Sequence, residues 1–327
     1  MSSTRLFGLG AAAILAVAVV APVAAQDAPL DASAAMGKKL MVNMKGPGAG
    51  NPFWAAVEKG ALDEAAALGL DVVVMSPPAE SDVQAQIAQI EDAIAQGFAG
   101  IAIAPTDPAA LQPVIDEAIA AGIKVVNVDT KGANEGVTFI GTDNAAGAAL
   151  AAQYLCDHLT AGDKVAILQG IITQSTGQAR ATGAHDGLTA CGMNVVAELP
   201  ADWDTAKALT VAEDILTGNP DIKGIFASND NMALGVLEAL KAAGLLDQVT
   251  VVGFDANPNA ADAVLAGELE ATIAQAPSNM GKFGVDALVR LIAGETIDPV
   301  IDTGTVLVDA ANAVDFDSDP ANDAEND

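Results

Sequence analysis

The chain has 327 residues, with 43 Asp and Glu against 14 Lys and Arg, a formal net charge of −29 and an isoelectric point near 4.1. That balance excludes a general nucleic-acid binder, which needs a basic face to displace counterions from phosphate, and argues against attachment to anionic lipid. Hydrophobic residues make up 51% of the chain and mean hydropathy is +0.37, which excludes a charged disordered chain and leaves a length suited to two domains of roughly 100–200 residues each.

Arg5 precedes an apolar run over 6–20, followed by Ala21-Pro22-Val23-Ala24-Ala25. A basic start, a short apolar stretch and small residues at −3 and −1 predict a secretory signal peptide over 1–25, cleaved after Ala25. A retained membrane anchor is the alternative, but the run is short for a span of ~20 residues. The expected mature protein is soluble and periplasmic. In that oxidising setting the two cysteines, Cys156 and Cys191, either form one disulfide or remain separate buried thiols.

From Lys39 onward, short Val- and Ile-rich runs alternate with amphipathic segments. Strands are predicted over 40–44, 71–75, 100–104, 124–128 and 137–140, with helices over 52–68, 81–96 and 108–121 between them. The theme restarts with a helix over 145–159, and strands over 164–168, 194–199, 224–227, 250–254 and 270–275. Their intervening helices are 176–190, 205–217, 230–243, 260–266 and 278–293, and 300–308 is extended. Ser81, Asp107 and Thr205 are placed as helix N-caps. Such alternation means βαβ units on parallel sheets, here two successive doubly wound α/β units. Gly141-Thr142-Asp143 marks a crossover between them. Residues 315–327 carry six acids and no base and read as a solvated, disordered tail.

Several short motifs fall at the predicted strand ends. They are Gly50-Asn51-Pro52-Phe53-Trp54, Ala104-Pro105-Thr106-Asp107, Val128-Asp129 and Leu168-Gln169-Gly170, then Pro200-Ala201-Asp202-Trp203-Asp204, Asn229 to Gly235, Val252-Gly253-Phe254-Asp255 and Ala271 to Gln275. In this order the chain resembles the ribose- and galactose-type periplasmic solute-binding proteins of sugar ABC transporters over roughly residues 38–310. The resemblance implies two Rossmann-like parallel-sheet lobes joined by a three-strand hinge. The N-terminal lobe would be 36–142 plus 276–302, and the C-terminal lobe 143–275 plus 303–314. Ligand would lie between them, outside the carboxyl ends of the strands, where open α/β sheets bind ligands.

Matched position by position, the resemblance implies polar ligand contacts from Asn51, Asp129, Asn229, Asp255 and Gln275, and aromatic faces from Phe53, Trp54 and Trp203. These residue types suit hydroxyls: carboxylates accept strong hydrogen bonds, and amides both donate and accept. Family members usually carry an Arg directly after the fourth-strand aspartate, where this chain has Thr130. A second ligand Arg of the family aligns with Gln178, and Arg180 aligns with a neighbouring basic position. The usual Arg clamps are therefore expected to be absent and few charges to reach the site. Lys45 is the basic candidate in their place, a solvated Lys being the alternative. The Gly-rich stretch 45–50 lacks a phosphate-cradle pattern and is expected to reshape the pocket wall. The implied ligand is a neutral monosaccharide or a sugar alcohol: a pentitol, tetritol, aldopentose or hexose.

Other classes fit less well. His158 and His185 stand on predicted helices with no nucleophile at a recognisable spacing, and neither C-x-x-C, H-E-x-x-H nor G-x-S-x-G occurs. No catalytic residue, metal ligand or cofactor is therefore assigned. A lactose-repressor-type regulator would share the two-lobe core, but the signal peptide stands where its DNA-binding segment would be. A periplasmic sugar sensor remains open. The implied partners are the ligand and a membrane permease, with a monomer as the working state.

Overall fold

The computed structural model describes residues 30–314, so the expected signal peptide and acidic tail lie outside the described residues. The first series of elements is β1 (Lys39–Asn43), α1 (Pro52–Leu68), β2 (Asp71–Met75), α2 (Val83–Gln96), β3 (Gly100–Ile103), α3 (Pro108–Ala120), β4 (Lys124–Val128) and β5 (Phe139–Gly141). The second is α4 (Asn144–His158), β6 (Lys164–Gln169), α5 (Ser175–Ala190), β7 (Asn194–Pro200), α6 (Thr205–Gly218), β8 (Gly224–Ala227), α7 (Asp230–Ala243), β9 (Thr250–Val252), α8 (Pro258–Leu265) and β10 (Ala271–Ala274). Helix α9 (Pro277–Ile292) and two short strands, β11 (Val300–Asp302) and β12 (Val306–Asp309), follow.

Central strands are buried on both faces, as β3 and β8 show at every residue, because helices cover each side of the sheet. One sheet runs β2-β1-β3-β4-β5-β11, with every pair parallel. The other runs β7-β6-β8-β9-β10-β12 and is parallel except for its antiparallel edge strand β12. The order is the same in both, so each lobe reverses its winding beside its first strand. That reversal opens a crevice at the carboxyl ends, where loops diverge to opposite faces.

The chain passes between the sheets after β5, after β10 and after β11. Helix α4 packs on α5 and on β10 of the second sheet, whereas α9 returns to pack on α1. In that last pair the backbones almost touch. A Cβ on Gly60 would stand 1.9 Å from the Ser278 carbonyl oxygen, and one on Gly281 would stand 2.0 Å from that of Val57. A disulfide joins Cys156 to Cys191, tying the end of α4 to the residue that closes α5.

Local details differ from the sequence expectation for identifiable reasons. Asp82 rather than Ser81 caps α2, accepting from the Ala85 amide, and Asp204 rather than Thr205 caps α6, accepting from the Lys207 amide. In both places a neighbouring Asp competes for the cap and wins with a charged acceptor at the positive end of the helix. Asp107 caps α3 as expected. The extended 300–308 stretch divides at Thr303-Gly304-Thr305, where Gly304 has φ +79° and the chain leaves one sheet for the other.

Candidate functional site

The residues singled out by sequence converge because each follows a strand at its carboxyl end. Lys45 and Asn51 follow β1, Asp129 follows β4, Trp203 follows β7, Asn229 follows β8 and Asp255 follows β9. Three of them lie in the sparsely allowed positive-φ region: Asp129 at 59°, Trp203 at 66° and Asp255 at 120°. Such backbone turns the side chain off the strand direction and into the crevice. The neighbouring structure holds them there. The Asp129 amide donates to the Ile140 carbonyl at 2.9 Å, and the Asp255 amide to that of Ile273 at 2.7 Å. The Trp203 ring lies against Gly170, where an added Cβ would meet it at 2.0 Å, so no larger residue fits at position 170.

Lys45, Asn51, Phe53, Trp54 and Asp129 from one lobe, and Trp203, Asn229 and Asp255 from the other, line a single cavity. Gln275 reaches the site through Asp255, donating to its Oδ1 at 2.7 Å. Asn229 also caps α7, its Oδ1 accepting from the Met232 amide at 2.9 Å, so the cap and site readings of that residue coexist. Asn51 opens α1 without a side-chain capping bond, and its buried Oδ1 has no partner within the protein. An unpaired buried acceptor costs about 1–3 kcal/mol until a donor arrives.

Gln178 is not in the cavity. It is exposed and donates to the Ile172 carbonyl at 2.9 Å. Arg180, expected to miss the site, is buried there instead, which overturns the expectation that no Arg reaches it. The reason is helical phase. Thr176 and Arg180 are four residues apart, share one face of α5 and both line the cavity, whereas Gln178 between them points away. Arg180 Nη1 donates to Asp255 Oδ1 at 3.2 Å and to the Ser228 carbonyl at 2.7 Å, and its Nε donates to Asn144 Oδ1 at 2.7 Å. The guanidinium lies 3.7 Å from the Phe254 ring centroid and 5.5 Å from that of Trp203.

Lys45 is buried, not solvated. Its ammonium pairs with Asp129 Oδ2 at 2.9 Å and donates to Thr130 Oγ1 at 2.9 Å and Thr176 Oγ1 at 3.2 Å. Glu80, which sequence reasoning missed, also lines the cavity and accepts from Trp54 Nε1 at 2.7 Å. Gln174 was missed as well; it accepts from Trp203 Nε1 at 2.8 Å. Both sit in irregular segments with no periodicity to mark them. The only sequence signal was the presence of two Trp, whose buried N–H groups need acceptors.

The site is therefore strongly charged, contrary to the expectation of few charges: Lys45 and Arg180 face Glu80, Asp129 and Asp255. Burial pushes the Asp255 carboxyl up to about 6 against the pull of Arg180 and the Gln275 bond. Burial likewise raises Glu80, opposed by Lys45. Asp230, just behind Asp255, is raised well above the usual carboxylate range by burial and by the Asp255 charge, and accepts from Thr272 Oγ1 at 2.7 Å. His158 and His185 lie elsewhere: the first bonds the Tyr154 carbonyl and the second pairs with Glu198. Among the described residues, no cluster of His, Cys, Asp and Glu could hold a metal ion, and no helix is long and apolar enough to cross a membrane.

Residues 44–296 match the family described as the periplasmic binding protein domain. The chain is 40% identical over 250 residues to the D-allose-binding periplasmic protein of Escherichia coli, covering 73% of this chain and 80% of that protein. An ABC transporter periplasmic solute binding protein from Actinobacillus succinogenes with bound D-allose superposes with a TM-score of 0.80 at 30% identity, covering 85% of this chain and 100% of that one. The Caulobacter myo-inositol binding protein bound to myo-inositol gives a TM-score of 0.80 at 32% identity, covering 86% and 97%.

Proposed function

Because this chain belongs to the periplasmic binding protein family, we propose that it is an exported carrier that captures a neutral monosaccharide or sugar alcohol between its lobes and delivers it to an ABC transporter permease. It acts without chemical turnover, as a monomer, and the lobes close about the three crossings of the chain. The observation that carries this reading is the cavity itself. It combines aromatic walls with carboxylates, amides and a guanidinium from both lobes, and the buried Asn51 Oδ1 and Glu80 Oε2 have no hydrogen-bond partner in the protein. Hydroxyls supply the donors those acceptors lack.

Charge favours a neutral ligand. Three carboxylates already face two cations, so an acidic sugar would add a fourth negative group to a closed space. Both D-allose and myo-inositol, the ligands of similar proteins, are uncharged and rich in hydroxyls. Each lobe supplies half the contacts, so ligand binds fully only in the closed state, and that difference in affinity drives closure.

Isothermal titration with aldopentoses, hexoses and C4–C6 polyols tests this reading. Micromolar affinity for at least one is expected, equivalent to about −8 kcal/mol. Asp129→Ala and Asp255→Ala are each expected to weaken it at least about tenfold, roughly 1.4 kcal/mol. Undiminished affinity in both variants would exclude this cavity as the binding site.

A further inference from the structure

Asp255 enters the cavity from a turn of unusual backbone. It has φ 120°, and Ala256 after it has φ 52°, so two successive residues other than glycine lie in the sparsely allowed region. Such backbone persists only where its surroundings hold it. The Asp255 amide donates to the Ile273 carbonyl at 2.7 Å, the Ala256 amide to Thr272 Oγ1 at 3.2 Å, and the Asn257 amide to Asp230 Oδ2 at 2.7 Å. Thr272 Oγ1 in turn donates to Asp230 Oδ1 at 2.7 Å. The Ala256 and Asn257 amides therefore both end on the Asp230 carboxyl, one through a hydroxyl and one directly. Asp230 and Thr272 are fully buried, and neither lines the cavity. The Asp230 amide donates to the Phe254 carbonyl at 2.8 Å, which fixes the carboxyl against the strand end. The approach is close: a Cβ on Gly253 would stand 2.3 Å from Asp230 Oδ1, so glycine is required where the chain passes that oxygen.

We propose that Asp230 is a positioning residue for ligand binding: through Thr272 and the 256–257 amides it holds the turn that aims the Asp255 carboxyl group into the cavity. The proposal rests on reading the cavity as a sugar or polyol site. Arg180 and Gln275 hold the Asp255 side chain itself, at 3.2 and 2.7 Å, whereas the Asp230–Thr272 pair holds the backbone beneath it. A turn free to relax would have to be ordered again by each ligand, and that ordering lowers affinity. Burial and the Asp255 charge raise the Asp230 carboxyl well above the usual carboxylate range, so it serves the turn as a hydrogen-bonding group more than as a charge. The amide of Asn can then replace it. Its oxygen accepts from the Asn257 amide, and its N–H groups donate to the Thr272 hydroxyl, which can accept them.

Calorimetric titration of ribose, allose, ribitol and myo-inositol tests the proposal, with the ligand that the native chain binds most tightly carried into the variants. Asp230→Ala and Thr272→Val are each expected to weaken binding at least about fivefold, while Asp230→Asn and Thr272→Ser, which keep the hydrogen-bonding groups, stay within about twofold of native. Repeating Asp230→Ala in an Asp255→Ala background separates positioning from a general structural defect. With no carboxyl group left to aim, Asp230→Ala is expected to cost less than about twofold there, whereas a general defect would add its whole cost in either background. Native affinity in both Asp230→Ala and Thr272→Val would overturn the proposal, as would a full further loss on top of Asp255→Ala, or a loss in Asp230→Asn equal to that in Asp230→Ala. Should Asp230→Ala not fold, the Thr272→Val and Thr272→Ser pair decides, and equal affinities in those two would overturn the proposal. Native affinity in Asp255→Ala, or no binding of any of the four ligands by the native chain, would instead remove the site reading, and the proposal with it.

Discussion

The Arg180 guanidinium has partners on several sides of the cavity, and its role follows from the geometry of its fork. One nitrogen reaches a carboxylate and a carbonyl, another an amide oxygen, and Cζ lies 3.7 Å from the Phe254 ring centroid. A planar fork can satisfy all of these at once, which an ammonium or amide cannot. Arg180→Gln is therefore expected to weaken sugar or polyol binding at least about tenfold, since it leaves Asp255 without its cation. Gln178→Ala, on the exposed side of the same helix, is expected to leave affinity within about twofold, as surface changes away from a site generally do. Parallel titrations of the two variants check the helical phase directly, and equal losses would contradict it. The resemblance assigns the ligand position to Gln178, which is exposed, whereas Arg180 lines the cavity. The neighbour two residues away faces the cleft, and only the position where α5 begins decides which one does.

At the scale of elements, α1 and α9 show how backbone proximity creates an electrostatic constraint. Their glycine contacts bring Glu64 and Asp286 together, with Lys282 and Arg290 as the nearest cations. Burial, then the Glu64 charge, pushes the Asp286 carboxyl up to about 7. A carboxyl raised in the folded state contributes stability that is fully present below its ordinary value of 3.8 and is lost as pH rises through about 7. Asp286→Asn removes that titration. Relative to the native chain, the variant is expected to gain stability between pH 4 and pH 8, with little difference at pH 4. Thermal unfolding of both proteins at the two pH values measures it, and an unchanged difference would refute it. Element order and type were readable from alternating apolar runs, because burial on two faces demands them. The caps on α2 and α6 were misplaced by one residue because neighbouring Asp and Ser or Thr side chains compete for the same amides.

At the scale of the whole molecule, the lobes are joined across the cleft by more than the three chain crossings. Lys45 bonds Thr176, Ser175 Oγ donates to the Lys131 carbonyl at 3.0 Å, and Gln174 Nε2 donates to that of Glu80 at 3.4 Å. All three come from the start of α5, so that turn forms the main polar contact between lobes beside the cavity. Behind it, the Cys156–Cys191 bond anchors the other end of α5 to α4. It closes a loop with a sequence separation of 35 residues. The chain-entropy relation for such a loop gives at most about 4 kcal/mol of stability. Cys156→Ser with Cys191→Ser is expected to lose about 2–4 kcal/mol in denaturant titration without altering ligand preference, and an unchanged midpoint would contradict it. The charge of −29 now divides into two parts: a large acidic excess over the chain, and a small, nearly balanced set enclosed in the cavity.

The amino-acid sequence by itself determined the architecture, because buried parallel strands and amphipathic helices impose periods that survive without knowledge of their partners. It also placed Asn51, Trp54, Asp129, Trp203, Asn229 and Asp255 at strand ends, where such a fold gathers its loops. Tertiary structure alone decided which charges meet there. Glu80 and Gln174 reach the site from irregular segments, Arg180 reaches it by helical phase, and Lys45 is turned inward by a buried carboxylate and two indoles from different lobes. Those outcomes depend on distances between residues far apart in the chain, and electrostatic pairing in a desolvated space is set by distance, not by order along the sequence.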